Sequence, residues 1–361
     1  MLGGGVFVTQ NKVLPGSYIN FVNASTASAT VGDRGVVAIA LALPTPRTFN
    51  DGEDDEYTEP TTAGTVIELT SSEFVAGSKA EYLHADYDDA SMIALREIFR
   101  HATKVYVYDL SGGKTVTDAL NAFEAYDFNV LCAYTNTSSD VTLYVKKVKD
   151  WRDTMGKKCQ VVVYNTASDH EGVINVVSTV SDTSADAFAL VSWVAGAEAG
   201  CKINSSCTNM LYDGEYTVVV NKTQSELETC IQNGQIAFHL VYGQVRLLED
   251  INSLTTTTVD KGDDFKSNQT IRVIDQIAND IAKIFNVKYA GKIPNNASGR
   301  VSLWGDIVKH HKELEEIQAI ENFDSSLVTV NQGNTRKSVV VNDAITVINS
   351  MSQLYMTVVI Q

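Results

Sequence analysis

The sequence has no apolar run long enough to cross a membrane. The longest, Val36 to Leu43, falls far short of the roughly 20 residues a bilayer requires. It also lacks a leader signature, because Met1-Leu2 runs straight into glycines with no basic stretch or apolar region, so no secretory signal is expected. Positive charge is scarce: 28 Lys and Arg stand against 44 Asp and Glu, a net charge of −16. That balance argues against nucleic acid as a partner and against attachment to anionic lipid, and with no long apolar run direct membrane insertion is not expected. Cysteine is sparse and odd in number. Cys132, Cys159, Cys201, Cys207 and Cys230 are scattered, mostly in apolar surroundings, and are expected to be buried free thiols in a reducing compartment. There is no internal repeat and no low-complexity segment. What remains is a globular composition, 44% hydrophobic and 20% charged over 361 residues, with room for two or three domains.

The most informative stretches are the ends. From Gln353 to Gln361 the residues alternate as in a β-strand, with Leu354, Met356, Val358 and Ile360 on one side and Tyr355, Thr357, Val359 and Gln361 on the other. Near the other end Gly3, Gly4 and Gly5 form a hinge ahead of the short apolar run Val6, Phe7 and Val8. An apolar strand at a terminus is an aggregation hazard unless it pairs with something. Two such ends predict a chain that pairs with copies of itself.

Between them, β and α patterns alternate. Asp33-Arg34-Gly35 is a turn before a strand over 36–43, and a loop is expected from Pro44 to Ala63 with the acidic run Asp51 to Glu56. Strands are predicted over 105–108, 128–133 and 159–164, with helices over 115–126 and 141–155, which implies βαβ units and a largely parallel sheet. The run 186–200 reads as a mostly buried helix. Asp213-Gly214 between apolar runs predicts a hairpin, and Gly243 a second one. Thr223 and Glu226 form a capping box for a further helix. Two long helices follow. The first carries Ile271, Ile274, Ile277, Ile281, Ile284 and Phe285 on one stripe; the second, from Gly299 to Asn322, carries Leu303, Trp304, Ile307, Val308, Leu314 and Ile317. The fold class is therefore α/β and α+β: a compact mixed-sheet subunit with βαβ units, two long C-terminal helices and extended N- and C-terminal β-arms. The expected organisation is an arm over 1–22, a core over 23–250, a C-terminal domain over 251–350 and a terminal strand over 351–361.

No catalytic constellation can be assembled, so an enzyme is not expected. His170-Glu171 reads as a hydrogen-bonded loop pair. His310-His311 lies on a helix at a spacing unsuited to a shared metal, with one ring expected at the buried face and the other in solvent. The five residues separating Cys201 from Cys207 fit no common zinc pattern, and Asp51 to Glu56 lacks the spacing of a calcium loop. No metal and no cofactor are therefore expected. Ser111-Gly112-Gly113-Lys114 sits between strand and helix, where phosphate can bind, but lacks a complete phosphate loop, so a plain turn is the better reading. A nucleotide-binding α/β enzyme domain with flexible termini remains the alternative, and a monomeric module whose ends fold back on its own sheet is a third.

The arm Leu2 to Phe21, the turn Asp33-Arg34-Gly35, and the long runs Asp250 to Thr255, Asn268 to Ile281, Gly299 to Trp304 and Lys309-His310-His311 closely resemble contractile-tail sheath proteins of bacteriophages. The likeness is strongest to sheaths of defective, bacteriocin-like prophages of Gram-positive bacteria. Close relatives carry an inserted domain after the strand matching 105–108; here Gly112-Gly113 turn directly into a helix, so a compact sheath is implied. The resemblance implies a structural subunit without a catalytic site, stacked in six-fold discs as a helical homo-oligomer around a tail tube. The terminal arms would add strands to neighbouring subunits, and the ends of the sheath would meet baseplate and tail terminator proteins. It implies a place in a virion tail or tail-like particle assembled in the bacterial cytoplasm. It also puts the last long helix toward the tube, where Lys309 and Lys312, three residues apart on its polar face, are candidate contacts.

Overall fold

A computed structural model describes residues 32–50, 56–182 and 185–360. In chain order the strands are β1 Val36–Leu41, β2 Thr48–Asn50, β3 Glu56–Thr58, β4 Val66–Thr70, β5 Lys104–Asp109, β6 Val130–Cys132, β7 Gln160–Tyr164, β8 Val173–Val176, β9 Gln235–Ile236, β10 Phe238–Val241, β11 Gln244–Leu247, β12 Ile320–Glu321, β13 Thr329–Gln332, β14 Val339–Asn342 and β15 Thr346–Val347. The α-helices are α1 Ser71–Val75, α2 Ala80–Leu83, α3 Ile93–Ile98, α4 Val116–Ala122, α5 Ser138–Asp150, α6 Leu190–Gly200, α7 Gln224–Gln232, α8 Asn268–Ile284 and α9 Ala297–Glu316. Among the described residues, no helix is long and apolar enough to cross a membrane.

Seven strands form one sheet in the order β4-β5-β1-β6-β7-β8-β9, parallel throughout except for the edge strand β4. The near-continuous apolar runs of β1, β5 and β7 follow from burial on both faces. One face carries α3 and α6, with Leu95, Ile98, Trp193 and Val194 fully buried against it. The other carries α4 and α5, where Leu120, Tyr144, Val148 and Trp151 are buried. The expected βαβ units are present. Helix α6 is buried from Leu190 to Ala199, as its broad apolar face predicts. It passes so close to α3 that a β-carbon on Gly196 would lie 2.3 Å from the carbonyl oxygen of Ile98.

Four local expectations need correction. The 44–63 stretch is not all loop: β2 and β3 pair as a short hairpin, with Phe49 and Tyr57 rings stacked and Arg47 bound to Glu59 at its base. The acidic residues 51–55 lie outside the described residues. The hairpin around Asp213-Gly214 does not form. Buried Glu97 of α3 captures the segment instead, accepting from Tyr212 Oη at 2.8 Å and from the Glu215 amide at 2.6 Å. Val218 then bridges to Val180, while Leu211 bridges to Arg246. The second hairpin, β10–β11, and the Thr223–Glu226 capping box of α7 form as expected. The third correction concerns α8. Its buried face is largely polar, with Asn268, Gln269, Arg272, Asp275, Gln276 and Asp280 buried, whereas Ile274, Ile277 and Ile281 are only half-buried. Fourth, α9 stops at Glu316, because Gln318 adopts a positive φ of 59° and turns the chain into β12, leaving Ile317 exposed.

α8, α9 and β12 to β15 pack together beside the sheet. Val273 and Ile277 of α8 pack with Leu314 and Ile320, while Ile284 packs with Leu303 and Ile307. β13 and β14 pair as a separate two-stranded antiparallel sheet beside α9, and β12 pairs with β15.

Candidate functional site

The C-terminal segment is clamped, then released. β15 is held by β12, and the Ile348 amide donates to Ala319 O at 3.1 Å. Gln269 of α8 then grips the backbone twice, its Nε2 donating to Ile348 O at 3.2 Å and its Oε1 accepting from the Ser350 amide at 2.9 Å. Beyond Ser350 the chain leaves the body. Among the described residues, 351–360 join no sheet, and both sides of the alternating pattern face solvent: Leu354 is 85% exposed, Val358 70% and Ile360 93%, with Tyr355 and Val359 on the other side also exposed. The terminus therefore does not fold back onto its own sheet as the monomeric reading requires. Gly3, Gly4, Gly5, Val6, Phe7 and Val8 lie outside the described residues.

The β13–β14 sheet has two strands, so each keeps an edge that no described residue pairs, and Val340 and Val341 are exposed on it. The neighbouring α9 is mixed in charge, with Arg300, Lys309 and Lys312 against Asp306, Glu313, Glu315 and Glu316. From 283 to 312 the chain carries Lys283, Lys288, Lys292, Arg300, Lys309 and Lys312 against one acid, Asp306, which Lys288 holds. Lys309 and Lys312 are both exposed on α9, and Lys309 also lies 3.8 Å from Glu313. His310 and His311 between them are both fully buried, not one buried and one solvated. α9 is covered on two sides: His310 Nε2 meets Asp280 of α8 at 2.9 Å, and His311 Nε2 meets Asp343, beyond β14, at 2.6 Å.

A seam of buried ion pairs joins α8 to the sheet unit. Arg272 Nη2 lies 2.7 Å from Glu198 of α6 and 3.2 Å from Asp250, and Nη1 donates to Ser205 O at 2.7 Å. Burial pushes the Asp250 carboxylate up, but Arg272 together with hydrogen bonds from Glu198, the Cys207 amide and Asn268 holds its pKa below the ordinary range. Glu198 is pushed well above its ordinary value by burial and by Asp250. Farther along, Asp275 forms a two-pronged pair with Arg152, and Asp280 accepts from the Gly32 amide at 3.0 Å. The sequence runs 250–255 and 268–281 thus map onto this seam, a role their composition did not suggest.

Among the described residues two acidic groups have metal-like spacing, and neither suits a metal. In Asp153, His170 and Glu171, His170 Nδ1 accepts from the Gly172 amide at 2.9 Å and Glu171 is bound by Lys261 at 2.8 Å. In Glu198, Cys207 and Asp250, the cation is already the Arg272 guanidinium. The phosphate reading of Ser111 to Lys114 is also disfavoured. The crevice at the strand-order reversal beside β1 is filled by Asp109, which accepts from Ser111 N and Oγ, Thr62 Oγ1 and Leu43 N. The N-terminus of α4 is closed by the reciprocal Thr115–Asp118 capping box.

Comparison with known proteins agrees with the geometry. The phage tail sheath protein central domain matches residues 110–253, and the phage tail sheath C-terminal domain matches residues 260–361, together more than half of the chain. The chain is 27% identical over 228 residues to the tail sheath protein of Clostridium phage phiCD119, covering 62% of each. It spans between 55% and 62% of the length of the curated relatives it matches. In structure it is similar to the sheath tail protein of Desulfitobacterium hafniense, with a TM-score of 0.76 at 24% identity, covering 94% of this chain and 99% of that one. It is also similar to the helical sheath of the anti-feeding prophage in its contracted state, with a TM-score of 0.69 at 13% identity over 96% of this chain and 99% of that one.

Proposed function

Because the chain belongs to the phage tail sheath family, we propose that it is the structural subunit of a contractile sheath. It polymerises helically around a tail tube and contracts to drive that tube through a cell envelope. The observation that carries this reading is the segment 351–360, released after Ser350 with its apolar side chains in solvent.

In this reading residues 351–361 are a linking strand. Leu354, Met356, Val358 and Ile360 of one copy lie along the open β13–β14 sheet of a neighbour, main-chain hydrogen bonds supplying affinity and alternate side chains register. Burying those four side chains contributes on the order of 5 kcal/mol before the cost of ordering the strand. Val6, Phe7 and Val8 in the arm 1–22 make the matching link at the other end. Such head-to-tail pairing is heterologous and extends into a filament. Ser350 to Gln353 and Gly3 to Gly5 act as hinges, while the ion-paired seam keeps the core (23–250) and the inner domain (251–350) moving as one body. Lys309 and Lys312 face an acidic tube, and baseplate and tail terminator proteins bound the polymer. The particle is a phage tail or tail-like injection machine put together in the bacterial cytoplasm. No residue is assigned a catalytic role.

Negative-stain electron microscopy of the chain co-expressed with its tube protein tests this. Hollow striated tubes are expected from the full chain, and none from a variant lacking 353–361 that keeps the same circular dichroism spectrum and melting temperature. Uniform full-chain monomers, or striated tubes that survive the deletion, would overturn it.

A further inference from the structure

The end of α8, the start of α9 and the β13–β14 hairpin together carry charge of one sign. Residues 281–305 and 325–342 contain no Asp or Glu but hold Lys283, Lys288, Lys292, Arg300, Arg336 and Lys337, in a chain of net charge −16. Asp306, just past the first stretch, is taken by Lys288. Among the described residues Arg300, Arg336 and Lys337 have no acidic partner. Arg300 Nη1 donates instead to Asn295 Oδ1 at 3.0 Å, and Asn295 Nδ2 donates to Arg336 O at 3.1 Å and Ser338 O at 2.8 Å, which ties the three elements together. Between them lies a cavity of about 100 Å³ lined by Phe285, Tyr289, Leu303 and Val339, with Arg300 and Lys337 among its walls.

The opposite chemistry belongs to the β2–β3 hairpin. Five of the six residues from Asp51 to Glu56 are acidic, with no cation among them. Their flanking aromatics, Phe49 and Tyr57, are 49% and 52% exposed. Tyr57 Oη donates to Glu81 Oε2 at 3.2 Å, whereas the Phe49 ring meets only Arg47 and Tyr57. Neither ring lines the cavity of its own chain. We infer that the acidic hairpin of one copy docks on the basic cavity of a second copy, with Phe49 entering the cavity and the run Asp51 to Glu56 meeting Arg300, Arg336 and Lys337.

The occupant follows from shape and charge together. An aromatic ring seated in an apolar pocket is the kind of anchor that concentrates binding energy, and the surrounding charges set orientation and rate of encounter. The chain's other acidic stretches are already engaged: Asp86 by Arg47, Asp89 by Ser91, Asp263 by Lys266 and Glu315 by the Phe323 amide. Val339 meets the cavity from the face of β14 packed on α9, which leaves the strand edge to the terminal arm. Hairpin and cavity are different surfaces, so the contact is heterologous and repeats from copy to copy. The inference rests on the self-assembly reading but not on the terminal strand.

The test is zero-length carbodiimide cross-linking of the full chain, read by peptide mapping, in two co-expressed variants. One carries Lys337→Gln and keeps the acidic run. The other keeps Lys337 and has the run neutralised by Asp51→Asn, Glu53→Gln, Asp54→Asn, Asp55→Asn and Glu56→Gln. Neither alone can join Lys337 to the run, so such a link in the co-expressed pair connects two copies. The link is expected in wild type and in the pair, with a yield at least about tenfold lower when salt rises from about 0.05 M to about 0.5 M. Phe49→Ala should lower the yield at least about tenfold at an unchanged circular dichroism spectrum. A link in wild type but not in the pair would place the hairpin on its own chain and overturn the inference. So would Lys337 joined only to other acids, no link at all, or a yield indifferent to salt or to Phe49→Ala. Striated tubes without the link would overturn this contact and leave the sheath reading standing, whereas the link without tubes would do the reverse.

Discussion

Replacing Arg272 by methionine tests whether charge holds the seam together. The Arg272, Glu198 and Asp250 side chains are each about 1% exposed. Methionine roughly fills the stem's volume but leaves the acids buried without their cation. Removing one partner of a buried pair costs about 3–5 kcal/mol, and losing the bond to Ser205 O adds about 1 kcal/mol. Against a total stability of about 5–15 kcal/mol that is a large fraction. Urea unfolding reads it as a lowered midpoint at unchanged slope. The triple variant Glu198→Gln, Asp250→Asn, Arg272→Met leaves no charge among these three positions and should recover most of the loss. Acid supplies a second arm. Asp250 titrates below its ordinary 3.8 in the folded wild type, so its contribution is present above about pH 4 and is lost as pH falls through the folded value. Glu198 runs the other way: its raised folded pKa removes stability as pH climbs through its ordinary 4.5. Without Arg272 the largest influence holding Asp250 down is gone, so the gap between variant and wild type should narrow on acidification. A single variant within about 1 kcal/mol of wild type at neutral pH would refute the reasoning. So would a triple variant as unstable as the single.

Gly196→Ala should cost about 1–3 kcal/mol or more, read as a lowered melting temperature, because the neighbour its β-carbon meets is main-chain carbonyl of Ile98 and cannot rotate away. An unchanged melting temperature would show that α3 and α6 separate easily. Charge reversal at Lys309 and Lys312 should leave the monomer's stability within about 0.5 kcal/mol, since both are exposed, while sheath assembly on tubes disappears in pull-down and microscopy; normal assembly would remove these lysines from the tube contact. Asp169 accepts the backbone amides of Thr256 and Thr255, which hold its carboxyl far below the ordinary 3.8. Its contribution is therefore present above about pH 4 and lost as pH falls through the folded value, and Asp169→Ala should flatten that part of the acid-unfolding profile. An identical profile would mean that solvent screens this exposed cap completely.

What could be read from the sequence depended on how far away each partner lay. The βαβ alternation was legible because strand and helix periods are local, and so was the α7 cap, whose two residues are three apart. The Asp213-Gly214 hairpin was a sound local signal, overridden by Glu97, a residue more than a hundred positions earlier that offers the Tyr212 hydroxyl and Glu215 amide a buried carboxylate. In α8 the apolar stripe correctly marked a helix but not its most buried face. Arg272, Asp275 and Asp280 look like solvated charges until Glu198, Arg152 and His310 are brought to them by the fold. The two histidines of α9 show the same limit, since a helix covered on two sides buries neighbours that an amphipathic pattern would separate. The terminal strand is the opposite case. Its period was plain, yet its alternation would read the same in the core of a sheet. Side chains 70–93% exposed at Leu354, Val358 and Ile360, beginning one residue past the last clamp at Ser350, separate a strand that has its partner from one that still needs it. An exposed apolar segment of this kind is an association hazard in a free subunit, so the segment that contributes least to the subunit's own fold is the one on which the proposed polymer link rests.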